Sequence, residues 1–158
     1  MIRAILACDE AGGIGKNNML PWPRNQKDLL HFKKLTTNAT VVMGRNTWNS
    51  GMPKPLPNRD NIVVTSNAEF DAPGATLLTK NVAEHLTTLA LDRKVFVIGG
   101  AVLFNQLIDD IGLLHLARIT GNYDCDTFLD LNAISEKFEL IDSVAVDNMT
   151  IFQTFLKI

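Results

Sequence analysis

The chain has 158 residues, 46% hydrophobic and 20% charged, with a formal net charge of −2 and a pI of about 5.9. That size suits one domain, residues 1–158, with a substantial core, and the charge balance excludes a nucleic-acid surface or a polybasic membrane patch. Nor does any stretch suit a bilayer: the longest apolar run, residues 95–104, is short and broken by two glycines.

In chain order, residues 2–8 read as a buried strand, and the strand-like start at Met1 leaves no signal peptide. Cys8, at its end, and the distant Cys125 read as two reduced thiols of a cytoplasmic protein, and the three scattered histidines have no metal-ligand spacing. Residues 9–24 form a long loop rich in Gly, Asn and Pro, with Gly12, Gly13, Gly15, Asn17, Asn18, Pro21 and Pro23. A loop of that length in a small domain is usually functional or mobile.

A short helix follows, with Asn25 as N-cap and Leu29, Leu30, Phe32 and Leu35 as its apolar residues. Asp28 shares a face with Phe32 and Leu35 at i, i+4 and i+7. An inward carboxylate is costly unless a cation or hydrogen-bond partner meets it, and that partner is often a ligand. Asp28 also stands third in the helix, where an acid completes a capping box and suits the helix dipole. Taken alone, this helix favours the capping role.

Further strands are predicted at 40–43, 61–65, 94–98 and 113–119. Helices are predicted from 44 onward, over 81–90 with a capping box of Asn81 and Glu84, and over 101–108. Two strand-like runs, 138–146 and 150–157, are joined by Asp147-Asn148-Met149, a hairpin signal. The pattern predicts one α/β domain: a central, mainly parallel twisted sheet, an antiparallel C-terminal edge hairpin, and about four flanking helices.

Two strand-to-helix junctions carry small residues, one at Gly44-Arg45-Asn46-Thr47 and one at Gly99-Gly100-Ala101-Val102. Backbone N–H groups at such starts bind anions, glycine allows close approach, and Arg45 adds a phosphate fork. Neither junction is specific alone, and the absence of GxGxxG and Walker A patterns argues against Rossmann and P-loop folds. The segment 52–59, with Pro53, Pro55 and Pro57, reads either as a solvated polyproline turn or as a rigid piece that places Leu56 and aims Arg59 at a carboxylate.

Together these motifs resemble bacterial-type dihydrofolate reductase along nearly the whole chain. The resemblance runs through Ile5 and Ala7, Gly13-Ile14-Gly15, Leu20-Pro21-Trp22, Asp28-Leu29 and Phe32-Lys33. It continues through Met43 to Trp48, Pro55 to Arg59, Asn61 to Ser66, Ile98-Gly99-Gly100 and Asp126-Thr127. It implies reduction of 7,8-dihydrofolate by NADPH in a cytoplasmic monomer, with antifolates such as trimethoprim as further small-molecule partners.

By the same resemblance, Asp28 is the acid of the pteridine pocket, Trp22 helps to desolvate it, and Ile5 and Ile98 offer backbone carbonyls to the ring. Leu29, Phe32 and Leu56 would line the aminobenzoyl site, and Arg59 would hold the glutamate α-carboxylate. For the cofactor it implies Ala7, Ile14, Gly15, Leu20, Gly44, Arg45, Asn46, Thr47, Thr65, Ser66, Gly99, Gly100, Ala101, Val102 and Phe104. Among these, Arg45, Thr65 and Ser66 would take the 2′-phosphate, and Thr47 with residues 99–102 the pyrophosphate. The 9–24 loop would close over the nicotinamide.

The chain departs from the family pattern at several positions. Ala117 stands where a Thr usually supports the pocket acid, Leu20 and Phe104 replace a common Met and Tyr, and Val102 replaces a frequent Arg. A pyrimidine reductase on the same fold would keep the cofactor junctions but need not keep Asp28, Phe32 and Arg59 together. A non-catalytic binding module would not need Asp28 and Trp22.

Overall fold

Runs of aliphatic and β-branched residues form the centre of this computed structural model, which describes residues 1–17 and 19–158; Asn18 lies outside the described residues. The elements run β1 (Ile2–Cys8), β2 (Gly13–Gly15), α1 (Gln26–Thr36), β3 (Thr40–Gly44), α2 (Arg45–Trp48), β4 (Asp60–Val64) and β5 (Ala75–Leu78). Then come α3 (Val82–Leu89), β6 (Val95–Gly99), α4 (Ala101–Leu107), β7 (Ile111–Ile119), β8 (Thr127–Phe128), α5 (Leu131–Lys137), β9 (Phe138–Ala145) and β10 (Thr150–Lys157). Among the described residues no helix is long and apolar enough to cross a membrane.

Eight strands form one sheet in the order β5-β4-β3-β6-β1-β7-β10-β9. Neighbours from β5 to β7 are parallel. Only β10 runs against its neighbours, β7 and β9, and so makes the antiparallel edge. Parallel strands are covered on both faces and read as continuous apolar runs. In β3, Val41, Val42 and Met43 are all fully buried. The main core lies between the sheet and α3, α4 and α5, around Leu86, Leu103, Phe104, Leu107, Leu114, Leu116 and Ile134. Each such side chain stabilises by roughly 1.5–3 kcal/mol relative to its exposed state. On the opposite face Phe32 and Leu35 of α1 pack on Ile5, Ala39 and Phe96.

The chain reverses direction of winding around β1, which lies between β6 and β7. In open α/β sheets ligands bind beyond the carboxyl ends of strands at such a point. Here those ends belong to β1, β3 and β6.

The structure corrects four sequence-based expectations. There are five helices among the described residues, because α5 starts at an Asp130 cap whose side chain accepts the Ala133 N–H. An unpredicted fifth strand, β5, pairs with β4 after a turn at Gly74 (φ 87°). The 9–24 stretch is not all loop, since β2 pairs with β8 through Gly13↔Phe128 and Gly15↔Thr127. Asn81 does not form a capping box: it is left-handed (φ 53°) and makes no side-chain cap bond.

Behind α1, His31 stacks on Phe152 of β10 at 3.9 Å between centroids and meets His115 of β7 edge-on at 6.4 Å. Burial holds His31 below the ordinary histidine range, with Lys34 adding to it. Burial does the same to His115, helped by His31 and Arg3. The unfolded chain therefore binds protons more readily, so this contribution is complete above the ordinary histidine pKa and is lost as pH falls through it toward the folded values. Urea unfolding at pH 7.5 and pH 5 will show the parent losing stability relative to His31→Gln on acidification.

Candidate functional site

A cleft of about 1020 Å³ opens across the carboxyl ends of the central strands. Its floor includes Ile5, Leu6 and Ala7 of β1, Gly44 of β3, Val64 of β4 and Ile98 and Gly99 of β6. One wall is the cleft-facing side of α1, with Asp28, Leu29, Phe32 and Lys33.

Asn25 caps α1 as anticipated, with the Asp28 backbone N–H reaching its Oδ1 at 3.0 Å. The reciprocal bond of a capping box is not among the described hydrogen bonds, and the Asp28 carboxyl lies on the cleft wall instead. Its pKa is raised to about 6, and burial is the sole cause. No cation offsets the desolvation. Ala117 is 4% exposed and pairs with Ala7 in β1. It lies two residues from His115, whose ring meets His31 of α1, so the sheet face that it shares is the one under α1.

At one end of the cleft Leu56 and Arg59 are set by an amide that sequence reasoning left unassigned. Asn61, 4% exposed, accepts the Leu56 N–H at 2.9 Å and donates to the Leu56 and Arg59 carbonyls at 3.0 and 3.1 Å. Arg59 Nε donates to Thr36 Oγ1 at 2.9 Å, Nη1 to the Pro57 carbonyl at 3.0 Å, and the guanidinium lies over Phe32 at 5.7 Å. Burial lowers the Arg59 pKa below its usual value, yet leaves it a cation. Lys33 and Asn58 line the same end. A buried amide at a strand start beside three prolines was the available signal for Asn61.

At the other end the cleft meets the starts of α2 and α4. Gly44 and Gly100 occupy their N-cap positions, and neither helix start has a side-chain cap bond. A Cβ on Gly99 (φ 136°) would come within 3.3 Å of Thr47 Oγ1, so only glycine keeps this floor open without strain. Arg45, Asn46, Thr47, Thr65 and Ser66 line this end, as do Gly100, Ala101 and Val102, the last 82% exposed at the lip. The Arg45 guanidinium rests over Phe70 at 6.0 Å. Uncapped helix starts, an arginine and two hydroxyls form a donor set that fits a ligand with several phosphates.

The mouth is formed by Ile14, Gly15, Met19, Leu20 and Thr127. Two carboxylates hold this loop in shape. Asp9 is wholly buried, and its Oδ1 accepts the N–H groups of Ala11 (2.9 Å) and Gly13 (2.8 Å) while its Oδ2 accepts that of Tyr123 (3.0 Å). Burial pushes the Asp9 carboxyl up, but the three N–H bonds outweigh it and hold its pKa below the usual range. Asp126 Oδ2 accepts the Asn17 N–H at 2.9 Å, and the Asp126 N–H donates to the Gly15 carbonyl at 2.9 Å.

Two expected site residues are not on the cleft wall. Phe104 is fully buried among the core residues of α4, because it lies two residues, about 200° of helix, from the exposed Val102 and so faces the sheet. In this arrangement it therefore does not line the cleft, where the resemblance had placed it. Trp22 is also buried, with its ring edge-on to Tyr123 at 6.1 Å, so any contact with a ligand in this arrangement is indirect.

A family model described as dihydrofolate reductase matches residues 1–155. The chain is 37% identical over 155 residues to dihydrofolate reductase of Staphylococcus aureus strain MSSA476, covering 96% of this chain and 93% of that one. It is 38% identical over 126 residues to the Bacillus subtilis strain 168 protein of the same name, covering 80% and 73%. Among solved structures, dihydrofolate reductase from Enterococcus faecalis complexed with NADP(H) and RAB-propyl superposes with a TM-score of 0.85 at 34% identity, covering 99% of this chain and 96% of that one.

The uncompensated carboxylate has a measurable cost. A carboxyl whose folded pKa is raised contributes stability at low pH that is lost as pH rises through the folded value, here about 6. Asp28→Asn is therefore expected to be more stable than the parent by about 2–3 kcal/mol at pH 8, and by much less at pH 4. Urea unfolding of the ligand-free proteins at the two pH values checks this.

Proposed function

Because the chain belongs to the dihydrofolate reductase family, we infer that it reduces 7,8-dihydrofolate to 5,6,7,8-tetrahydrofolate with NADPH. When bound, NADPH supplies the hydride that pterin C6 receives. The observation that carries the residue assignment is a desolvated carboxyl, Asp28, placed between an arginine-bearing end and an end with uncapped helix starts.

Asp28 hydrogen-bonds the pyrimidine-like edge of the pterin and favours its polarised form, while the proton for N5 arrives through water. The backbone carbonyls of Ile5 and Ile98 meet the same ring. Leu29, Phe32 and Leu56 enclose the aminobenzoyl group in an apolar slot, and Arg59 pairs with the α-carboxylate. Arg45, Thr65 and Ser66 take the 2′-phosphate, which selects NADPH over NADH. Thr47 and the 99–102 turn take the pyrophosphate, with Ala7, Gly44 and Asn46 alongside. Ile14, Gly15 and Leu20 cover the nicotinamide and exclude bulk water. Trp22 supports the loop root and helps to keep the Asp28 side of the pocket dry. The two cysteines are free and buried, in keeping with a cytoplasmic monomer.

Loss of NADPH absorbance with dihydrofolate tests the reading. The parent will turn over, and Asp28→Asn will lose about 100-fold or more in kcat/KM near neutral pH. An inactive parent refutes the enzyme assignment, and an Asp28→Asn protein with parental rates refutes the role given to that residue.

Ala117 offers the pocket acid no hydroxyl. Ala117→Thr will supply one and tighten trimethoprim binding by about 3- to 10-fold, the worth of roughly one hydrogen bond. An unchanged or weaker inhibition constant counts against this.

A further inference from the structure

The first turn of α1 carries Asp28 but has no apolar anchor: Gln26, Lys27, Leu29 and Leu30 are exposed, and Thr36, at the far end, is the only buried residue of the helix. Hydrogen bonds hold it instead. Asn25 uses both ends of its amide. Its Oδ1 accepts the Asp28 N–H at 3.0 Å, and its Nδ2 donates to Thr150 Oγ1 at 2.7 Å across 125 positions of sequence. Thr150 is buried at the start of β10, close enough to Asp147 to help the Met149 N–H hold that carboxyl below its usual range. Asp147 is itself fixed by the Met149 N–H at 2.8 Å. Beside this chain Lys27 Nζ donates to the Val146 carbonyl at 2.7 Å and lies 3.9 Å from Asp147 Oδ2.

We propose that Asn25 and Thr150 are positioning residues for the reaction: the pair of bonds from Asp28 N–H through Asn25 to Thr150 fixes the pocket acid in the cleft wall and controls its shielding from water. The proposal rests on the reading of Asp28 as that acid. A plain N-cap would be met equally well by Ser or Asp, but Asp has no donor and Ser has one short hydroxyl, whereas Asn accepts from the helix with Oδ1 and donates to the buried hydroxyl with Nδ2. Tying the first turn to buried Thr150 of β10 through one amide stiffens it. Stiffness matters because a displacement of about 1 Å at a reacting group can cost about 100-fold in rate. The charged and titratable groups around this wall are Lys27 and His31 on α1, Lys33 and Arg59 at the tail end, His115 on β7 and Asp147 on the hairpin. None of them shifts Asp28, whose titration answers to burial alone. A loosened first turn therefore registers as increased hydration of the acid.

The test is the pH profile of kcat/KM for dihydrofolate, with kcat, KM and Tm measured separately. The variants are Thr150→Val, which keeps the shape and removes the hydroxyl that Asn25 meets, and Asn25→Ser, which keeps the helix cap but is too short to reach Thr150. Thr150→Ser is the conservative rescue, and Asp28→Asn identifies the titration. Thr150→Val and Asn25→Ser are expected to move the Asp28-dependent pKa down by about half a unit or more. They should also lower kcat/KM at neutral pH by roughly 3- to 10-fold, leave the KM for NADPH unchanged, and leave Thr150→Ser near the parent. An unmoved titration in Asn25→Ser overturns the proposal, even with a lower Tm, because the bond is then only structural; this variant decides alone if Thr150→Val does not fold. A titration that survives in Asp28→Asn overturns the reading of Asp28 and the proposal with it.

Discussion

The desolvation of one carboxyl organises this molecule. Asp28 sits on a wall of apolar side chains with no cation to meet it, and its pKa rises to about 6 as a result. A protein selected for stability alone would not keep an uncompensated acid there. The surrounding structure keeps the group dry, holds it still and leaves its free side toward the cleft. Stability is spent at a point where a ligand can return it, a common feature of working sites.

Much of the site is built by polar side chains that bind backbone rather than ligand. Asp9 gathers three N–H groups from two loops, Asn61 ties the Leu56–Arg59 turn to β4, and Thr36 receives Arg59 from the end of α1. These groups convert irregular segments into fixed ones without regular secondary structure. Gly13 shows how tight the loop root is. A Cβ there would fall 2.4 Å from Cys125 Sγ, so the position admits no side chain without displacing its neighbour.

Regular elements were legible in the sequence where hydrophobic period and burial agree. The runs at 2–8, 40–43, 94–98 and 113–119 form the inner strands, and the 147–149 turn closes the expected hairpin. Elements whose stability comes from context were not. β5 is a four-residue edge strand with no fully buried residue, and α5 has seven residues with one, so neither carries a strong period. Asn81 matches a capping pattern, yet the turn that feeds α3 holds it left-handed and its side chain makes no cap bond. In the site, the strand-end and glycine-junction residues named by the resemblance line one cleft. Phe104 does not, because one motif contains both the exposed Val102 and the core-facing Phe104 and sequence alone does not separate them. Asn61, Thr36 and Thr150 went unseen for another reason: their roles depend on partners that only the fold brings near.

The charge layout of the cleft explains why an acid of intermediate strength suits its middle. Cationic and N–H donors lie at both ends, Arg59 and Lys33 at one and Arg45 with two helix starts at the other, so anionic parts of ligands are drawn outward and the centre is left to a neutral ring. A carboxyl with a nearby guanidinium would stay ionised at all working pH values and would respond little to a ring that needs polarising. A fully enclosed one would stay protonated. With its pKa raised by burial to about 6, Asp28 lies close enough to neutrality that both forms are within reach of a modest change in surroundings. Burial without a counter-ion produces that balance. On the proposed reading Ala117 adds no hydroxyl to stabilise the ionised form, which leaves shielding by the first turn of α1 as the main control on the acid.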